Sequence, residues 1–237
     1  MIDKEDQRVE AIRTSLEMII ERGLEASGGR RFEIVGVSKT FPVSTLLDGY
    51  RAGLRDFGEN YGDELIEKAS HHSLIFSDDP IRWHFIGAIQ SRKIAKLARY
   101  VSIWHSVART KEIDMISALA PDSSIFIQVK MDNSPERNGA PLKAAHELVD
   151  HGLKSGLKVL GLMVVPPVVD DDKLAEIFSA VNSARIELKL DYCSMGMSED
   201  FELALKNGAT HIRVGRALFG TRVGSGFSRE LGQGGPV

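Results

Sequence analysis

A chain of 237 residues with 43% hydrophobic and 27% charged side chains has the composition of a soluble globular protein, long enough for one large domain or two small ones. Its formal net charge of −3 gives no reason to expect nucleic acid or an anionic membrane as partner. Cys193 is the single cysteine, which rules out an internal disulfide, and the charged start Met1-Ile2-Asp3-Lys4-Glu5-Asp6 lacks the apolar core of a signal peptide, so a cytoplasmic location is expected.

Residues 3–26 carry Val9, Ile12, Leu16, Ile19 and Ile20 at helical spacing. Asp3 is placed to cap this helix and Ser27-Gly28-Gly29 to end it. A first strand follows at 34–38, rich in β-branched residues, then a helix near 43–53. The second strand, 55–57, leads through Gly58-Glu59-Asn60 into a helix near 61–71. Strand 82–86 precedes a basic helix near 91–99, and strand 101–105 precedes a helix near 110–119. Strand 124–130 leads through a loop to a helix near 141–155. Strand 158–164 belongs to the most apolar stretch, Gly161 to Val169, which is too short to span a bilayer and is broken by Pro166-Pro167. A helix near 171–187, a strand at 192–195, a helix near 199–207 and a last strand at 211–214 complete the series.

Eight strands, each followed by a helix or a helical turn, imply parallel pairing with right-handed crossovers. Their number favours an α/β fold closed as a single (β/α)8 barrel with an extra N-terminal helix, with an open doubly wound sheet as the alternative. One domain over residues 1–222 is expected, followed by a flexible tail, 223–237, with five glycines in fifteen residues.

Barrel chemistry concentrates at the C-terminal ends of the strands, often with phosphate held after the seventh and eighth. Lys39 follows the first strand, where a desolvated lysine can attack a carbonyl and form a Schiff base. Asn60 follows the second strand, His84 lies late in the third and Met163 late in the sixth. After the seventh comes Ser194-Met195-Gly196-Met197-Ser198, and after the eighth Arg213-Val214-Gly215-Arg216. Glycines 196 and 215 permit close backbone approach, residues 216–219 offer helix-start N–H groups, and Ser194 adds a hydroxyl. Plainer roles compete: Ser198 as the cap of the helix after it, Asn60 as another cap, His84 as a core histidine, Cys193 as a small buried hydrophobe. A Schiff-base lysine and a phosphate cradle at one barrel end together suit an aldehyde-bearing phosphate. Pyridoxal 5′-phosphate is the leading candidate and a phosphosugar the alternative.

The stretches Val37-Ser38-Lys39-Thr40, Phe57-Gly58-Glu59-Asn60-Tyr61, Trp83-His84-Phe85-Ile86-Gly87, Gln90-Ser91, His105-Ser106-Val107, Gly161-Leu162-Met163, Ser194-Met195-Gly196-Met197-Ser198 and Phe219-Gly220 resemble, in order, the YggS/PROSC pyridoxal phosphate homeostasis proteins. The resemblance runs over about residues 34–222. It implies the alanine racemase N-terminal-like barrel of the pyridoxal phosphate fold type III, and a protein that binds the cofactor and balances vitamin B6 pools without robust catalysis. It implies Lys39 as the aldimine lysine, Ser194, Gly215 and the backbone of Arg216 as phosphate ligands, Arg213 beside the pyridine nitrogen, and Asn60 and Met163 as lining residues. Two positions depart from the family pattern. Arg216 stands where Thr or Ser is usual, and Arg137-Asn138-Gly139 stands where Lys-Ser-Gly usually ends the loop.

The implied function is a monomeric carrier, with pyridoxal phosphate-dependent apoenzymes as recipients. The competing readings are a pyridoxal phosphate-dependent amino-acid racemase-like enzyme and a Schiff-base aldolase or phosphosugar isomerase. Racemases of this fold use a tyrosine from a second β-domain, for which the sequence outside the barrel leaves no room.

Overall fold

The computed structural model describes residues 4–75, 80–132, 134 and 137–220. Asp3 and the 223–237 tail, expected to cap and to fray respectively, lie outside them. The elements run α1 (Lys4–Ser27), β1 (Glu33–Val37), α2 (Val43–Arg51), β2 (Asp56–Glu59), α3 (Gly62–Ile75), β3 (Arg82–Phe85), α4 (Ser91–Leu97), β4 (Val101–Val107), α5 (Thr110–Leu119), β5 (Ser124–Lys130), β6 (Ala140–Pro141), α6 (Ala145–Lys154), β7 (Lys158–Val164), α7 (Asp171–Glu187), β8 (Tyr192–Ser194), α8 (Phe201–Lys206), β9 (His211–Val214) and α9 (Arg216–Phe219).

The strands hydrogen-bond in the order β4-β3-β2-β1-β9-β8-β7-β5, and β4 also pairs with β5. The sheet therefore closes on itself as an eight-stranded barrel, with every pairing parallel. The open sheet is excluded. The two-residue β6 is an addition that the sequence pattern does not announce: Gly139, at φ +122°, turns the chain so that Ala140 and Pro141 lie beside Val129 and Lys130. A 3₁₀ turn at Leu142–Ala144 then precedes α6, which starts later than expected.

Strand alternation sorts the side chains into two layers. Phe57, Trp83, Phe85, Trp104, Ile125, Ile127, Leu162, Ile212 and Val214 point outward into one large apolar cluster shared with the helices. Inside the barrel, Phe126, Leu160 and Met163 make a separate small cluster. The remaining interior is polar: Asp56, His84, His105, Ser194, His211 and Arg213 are all buried. An interior of that kind desolvates charge, so each of these groups needs a partner.

The helix α1 lies across the outer layer, packed on α2, α8 and α9. It buries Ile12, Ile19 and Gly23, and a Cβ on Gly23 would stand 2.2 Å from the Phe32 ring, so only glycine admits that contact. Among the described residues no helix is long and apolar enough to cross a membrane.

Candidate functional site

Lys39 lies in the turn directly after β1 and is half-buried. Its neighbour Thr40 adopts φ +64°, a left-handed conformation that a β-branched residue holds only when its surroundings impose it. Those surroundings are a buried network rooted in β2 and α3. Lys68 Nζ donates to the Ser38 carbonyl at 2.6 Å, to Glu59 Oε1 at 2.6 Å and to Glu64 Oε1 at 2.7 Å. Ser38 Oγ donates to Glu59 Oε1 at 2.7 Å, and the Thr40 amide donates to Glu64 Oε1 at 2.6 Å. Both peptide units flanking Lys39 are thus gripped by side chains. Burial pushes the Glu59 carboxyl above its usual range, against the pull of Lys68 and Ser38. None of this network was expected. Only the Glu64/Lys68 spacing of four residues hinted at a pair.

The adjacent strand brings the second component. Gly36 pairs with Val214, so the residues after β1 and β9 emerge side by side. A Cβ on Gly215 would lie 3.1 Å from the Val37 carbonyl oxygen, which explains glycine there. The amides of Gly215 and Ala217 both point at Ser198 Oγ, at a long 3.3 Å each. Ser198 is therefore not the cap of α8, whose boundary residue is Asp200. Gly196, at φ +94°, makes the bend that carries Ser198 to this position, and a Cβ there would stand 2.7 Å from Ala204 Cβ. Two N–H groups converging on one weakly held hydroxyl form a cradle that an anion can occupy. The Arg216 side chain pairs with exposed Glu199.

Ser194 is placed differently. Fully buried at the end of β8, its Oγ accepts from Arg213 Nη1 at 2.8 Å and lies 2.9 Å from His105 Nδ1. Arg213 Nη2 donates to the Val164 carbonyl at 2.9 Å, which stretches the guanidinium across the barrel interior from β9 to the end of β7. Burial lowers the Arg213 pKa to about 10, so it stays cationic at neutral pH. His105 Nε2 lies 2.8 Å from His84 Nδ1, and His84 Nε2 lies 2.8 Å from Asp56 Oδ1. Burial opposes ionisation of Asp56, yet the hydrogen bonds from His84 and Arg82 outweigh it and bring its pKa to about 2. Burial, with the Arg213 cation acting in the same direction, holds His105 well below 6.5.

The two residues expected to line the site follow the register. Met163 pairs with Ser194, and both are buried. Asn60 comes two residues after Gly58, the partner of Val37. Its Oδ1 is buried without a hydrogen-bond partner among the described residues, so it does not cap α3. Arg137 donates to the carbonyls of Val165 and Pro166 and pairs with Asp132, which ties the loop after β5 to the end of β7. Among the described residues no group of three or more His, Cys, Asp or Glu side chains could hold a metal ion.

The model of the family described as "Alanine racemase, N-terminal domain" matches residues 36–223. The chain is 37% identical over 199 residues to a pyridoxal phosphate homeostasis protein of Pseudomonas aeruginosa, covering 80% of this chain and 84% of that one. It is 30% identical over 228 residues to the protein of that name from Schizosaccharomyces pombe, covering 89% and 93%. Among solved structures, PipY of Synechococcus elongatus PCC7942 with pyridoxal phosphate bound superposes with a TM-score of 0.74 at 28% identity, covering 85% of this chain and all of that one.

Proposed function

Since the chain belongs to the pyridoxal phosphate homeostasis proteins, built on the alanine racemase N-terminal-domain barrel, we propose that it binds pyridoxal 5′-phosphate as a Schiff base on Lys39 and acts in cofactor homeostasis as a carrier rather than a catalyst. The observation that carries this reading is the emergence of the Lys39 turn and the Gly215–Ala217 cradle from adjacent strands at one barrel end. An aldehyde, a phosphate and a pyridine nitrogen each find a matching group there: Lys39, the amides of Gly215, Arg216 and Ala217, and Arg213. Asn60 and Met163 line the space beside them.

The phosphate role falls to Ser198 in preference to Ser194, whose hydroxyl is already engaged by Arg213 and His105. Arg216 contributes its amide. Pyridoxal phosphate supplies, when bound, an electron sink for carbanion chemistry. A permanently cationic Arg213 beside the pyridine nitrogen can only donate a hydrogen bond, which keeps that sink shallow. Among the described residues the two candidates for a second base are poorly placed: Tyr61 is 57% exposed, and His84 is buried between Asp56 and His105. These features support a carrier over a catalyst; a monomer that hands the cofactor to pyridoxal phosphate-dependent apoenzymes is part of the same proposal.

The test is intact mass with and without borohydride after incubation with pyridoxal phosphate. One added reduced cofactor, mapped to Lys39, is expected; an adduct on another lysine overturns the assignment. A racemase or decarboxylase kcat near about 10 s⁻¹, abolished by Lys39→Ala, overturns the carrier reading.

A further inference from the structure

Asp56 is the first residue of β2 and Ser194 the last of β8, so the hydrogen-bonded series Asp56–His84–His105–Ser194–Arg213 runs through the barrel from its N-terminal towards its C-terminal end. The direction of each bond follows from the chemistry of the two ends. An ionised carboxylate only accepts, so His84 Nε2 carries a proton and donates to Asp56. A guanidinium only donates, so Ser194 Oγ accepts from Arg213. One proton lies between the two rings. With both rings neutral, His84 Nδ1 accepts, His105 Nε2–H donates to it, and His105 Nδ1 accepts the hydroxyl proton of Ser194.

Every donor in the series then points towards Asp56. The opposite arrangement requires an additional proton on His84, turns His105 Nδ1–H onto Ser194, and brings two donors onto that hydroxyl. The groups around His84 are Asp56 on β2, Arg82 on its own strand, His105 on β4 and His211 on β9; Arg213 on β9 acts on His105 and His211, and Glu33 on β1 pairs with Arg82. Arg82 already satisfies Asp56 by two hydrogen bonds, at 2.7 and 2.5 Å. Arg213, 4% exposed, makes no direct ion pair among the described residues. Asp200 is the carboxylate whose charge reaches it, and the aligned series adds a hydrogen-bonded path to Asp56.

We propose that His84 and His105 are positioning residues for Arg213, and that the one-way hydrogen-bond series they form with Asp56 and Ser194 holds the guanidinium aimed at the pyridine nitrogen of bound pyridoxal phosphate. This rests on the cofactor reading above and goes beyond it by assigning the polar interior of the barrel. It also accounts for two histidines hydrogen-bonded to each other in a core where apolar side chains would pack with no need for partners.

The experiment uses the full chain with all seven histidines labelled with nitrogen-15, before and after loading with pyridoxal phosphate labelled at its ring nitrogen. His84 and His105 are expected as neutral rings protonated at Nε2, in both states. His84→Gln keeps a donor for Asp56 and an acceptor for His105, so its ring-nitrogen resonance should match wild type. His84→Leu interrupts the series, and the resonance should move downfield, towards a pyridine lacking its hydrogen bond. Protonation of His105 at Nδ1 in the neutral protein overturns the proposal, and so does an unchanged cofactor resonance in folded His84→Leu. If His84→Leu does not fold, the tautomer of His105 decides alone. Failure of the wild type to take up pyridoxal phosphate defeats the cofactor reading and the proposal together, whereas uptake with the wrong tautomers defeats only the proposal.

Discussion

Replacing Lys68 by Met tests the network around the Lys39 turn most sharply. The side chain is 3% exposed and makes three charge-assisted hydrogen bonds, to Ser38, Glu59 and Glu64. Met fills similar volume, so the cost is electrostatic: Glu59, fully buried, loses the cation that neutralises it. Removing one partner of a buried pair typically costs about 3–5 kcal/mol. For a chain of this size each kcal/mol lowers the melting temperature by about 2–4 °C, so a fall of roughly 6–20 °C is expected at pH 7. The pH dependence supplies a second check. A carboxyl whose folded pKa is raised contributes stability that is fully present below its unfolded value and is lost as pH rises through the folded one. The Glu59 carboxyl is already raised above 4.5, and loss of Lys68 raises it further. The gap between wild type and Lys68→Met should therefore narrow as pH falls from 7 towards 5. Adding Glu59→Gln should recover part of the loss, because a neutral amide is cheaper to bury than a carboxylate. Melting curves at the two pH values decide the matter. A variant within about 2 °C of wild type at pH 7, or a gap that widens on acidification, would refute the reasoning.

Other outcomes are equally open to measurement. Lys39→Ala should stay folded and retain no borohydride-reducible cofactor, as read by intact mass. Ser198→Ala should weaken pyridoxal phosphate binding by roughly 10–100-fold, the value of one charge-assisted hydrogen bond, and leave pyridoxal binding unchanged in an absorbance titration. Burial lowers the His211 pKa to about 3, so its contribution to stability is present above 6.5 and lost as pH falls towards 3. His211→Asn should accordingly flatten the acid side of the urea-unfolding profile by about 1.4 kcal/mol per pH unit. Burial pushes the Cys193 thiol up to about 12, and thiol reagents should label the native protein no faster than it unfolds.

The strand–helix alternation was legible because each barrel strand is a short run of branched or aromatic residues closed by polar or glycine-containing turns. Closure followed from the count of βα units. The edges of elements failed where a turn-like dipeptide continues a strand. Gly58-Glu59 reads as a loop, yet Gly58 pairs with Val37 and Glu59 with Phe85, so β2 ends at Glu59 and not at residue 57. Strand β4 likewise runs to Val107, two residues beyond the expected end, because it still has Ile127 to pair with. Lys39, Arg213 and Gly215 stood out because their types are unusual where strands end. Lys68 did not, since a lysine on an amphipathic helix has every appearance of a solvated one, and its burial is decided by Glu59 on another element. The different partners of Ser194 and Ser198 were hidden for a related reason. Which of two serines meets the Gly215 amide depends on the Gly196 bend, and no periodicity encodes that.

The grip on Ser38 and Thr40 has a consequence for delivery. With its backbone anchored on both sides, Lys39 behaves as a hook on a wall rather than an arm on a hinge. If pyridoxal phosphate is held there as proposed, loop movement would not carry it out to a receiver. On that reading transfer would proceed at the mouth, at a pace set by how fast water or an incoming amine cleaves the bond to the lysine, and a receiver would gain speed by bringing its own amine to the barrel.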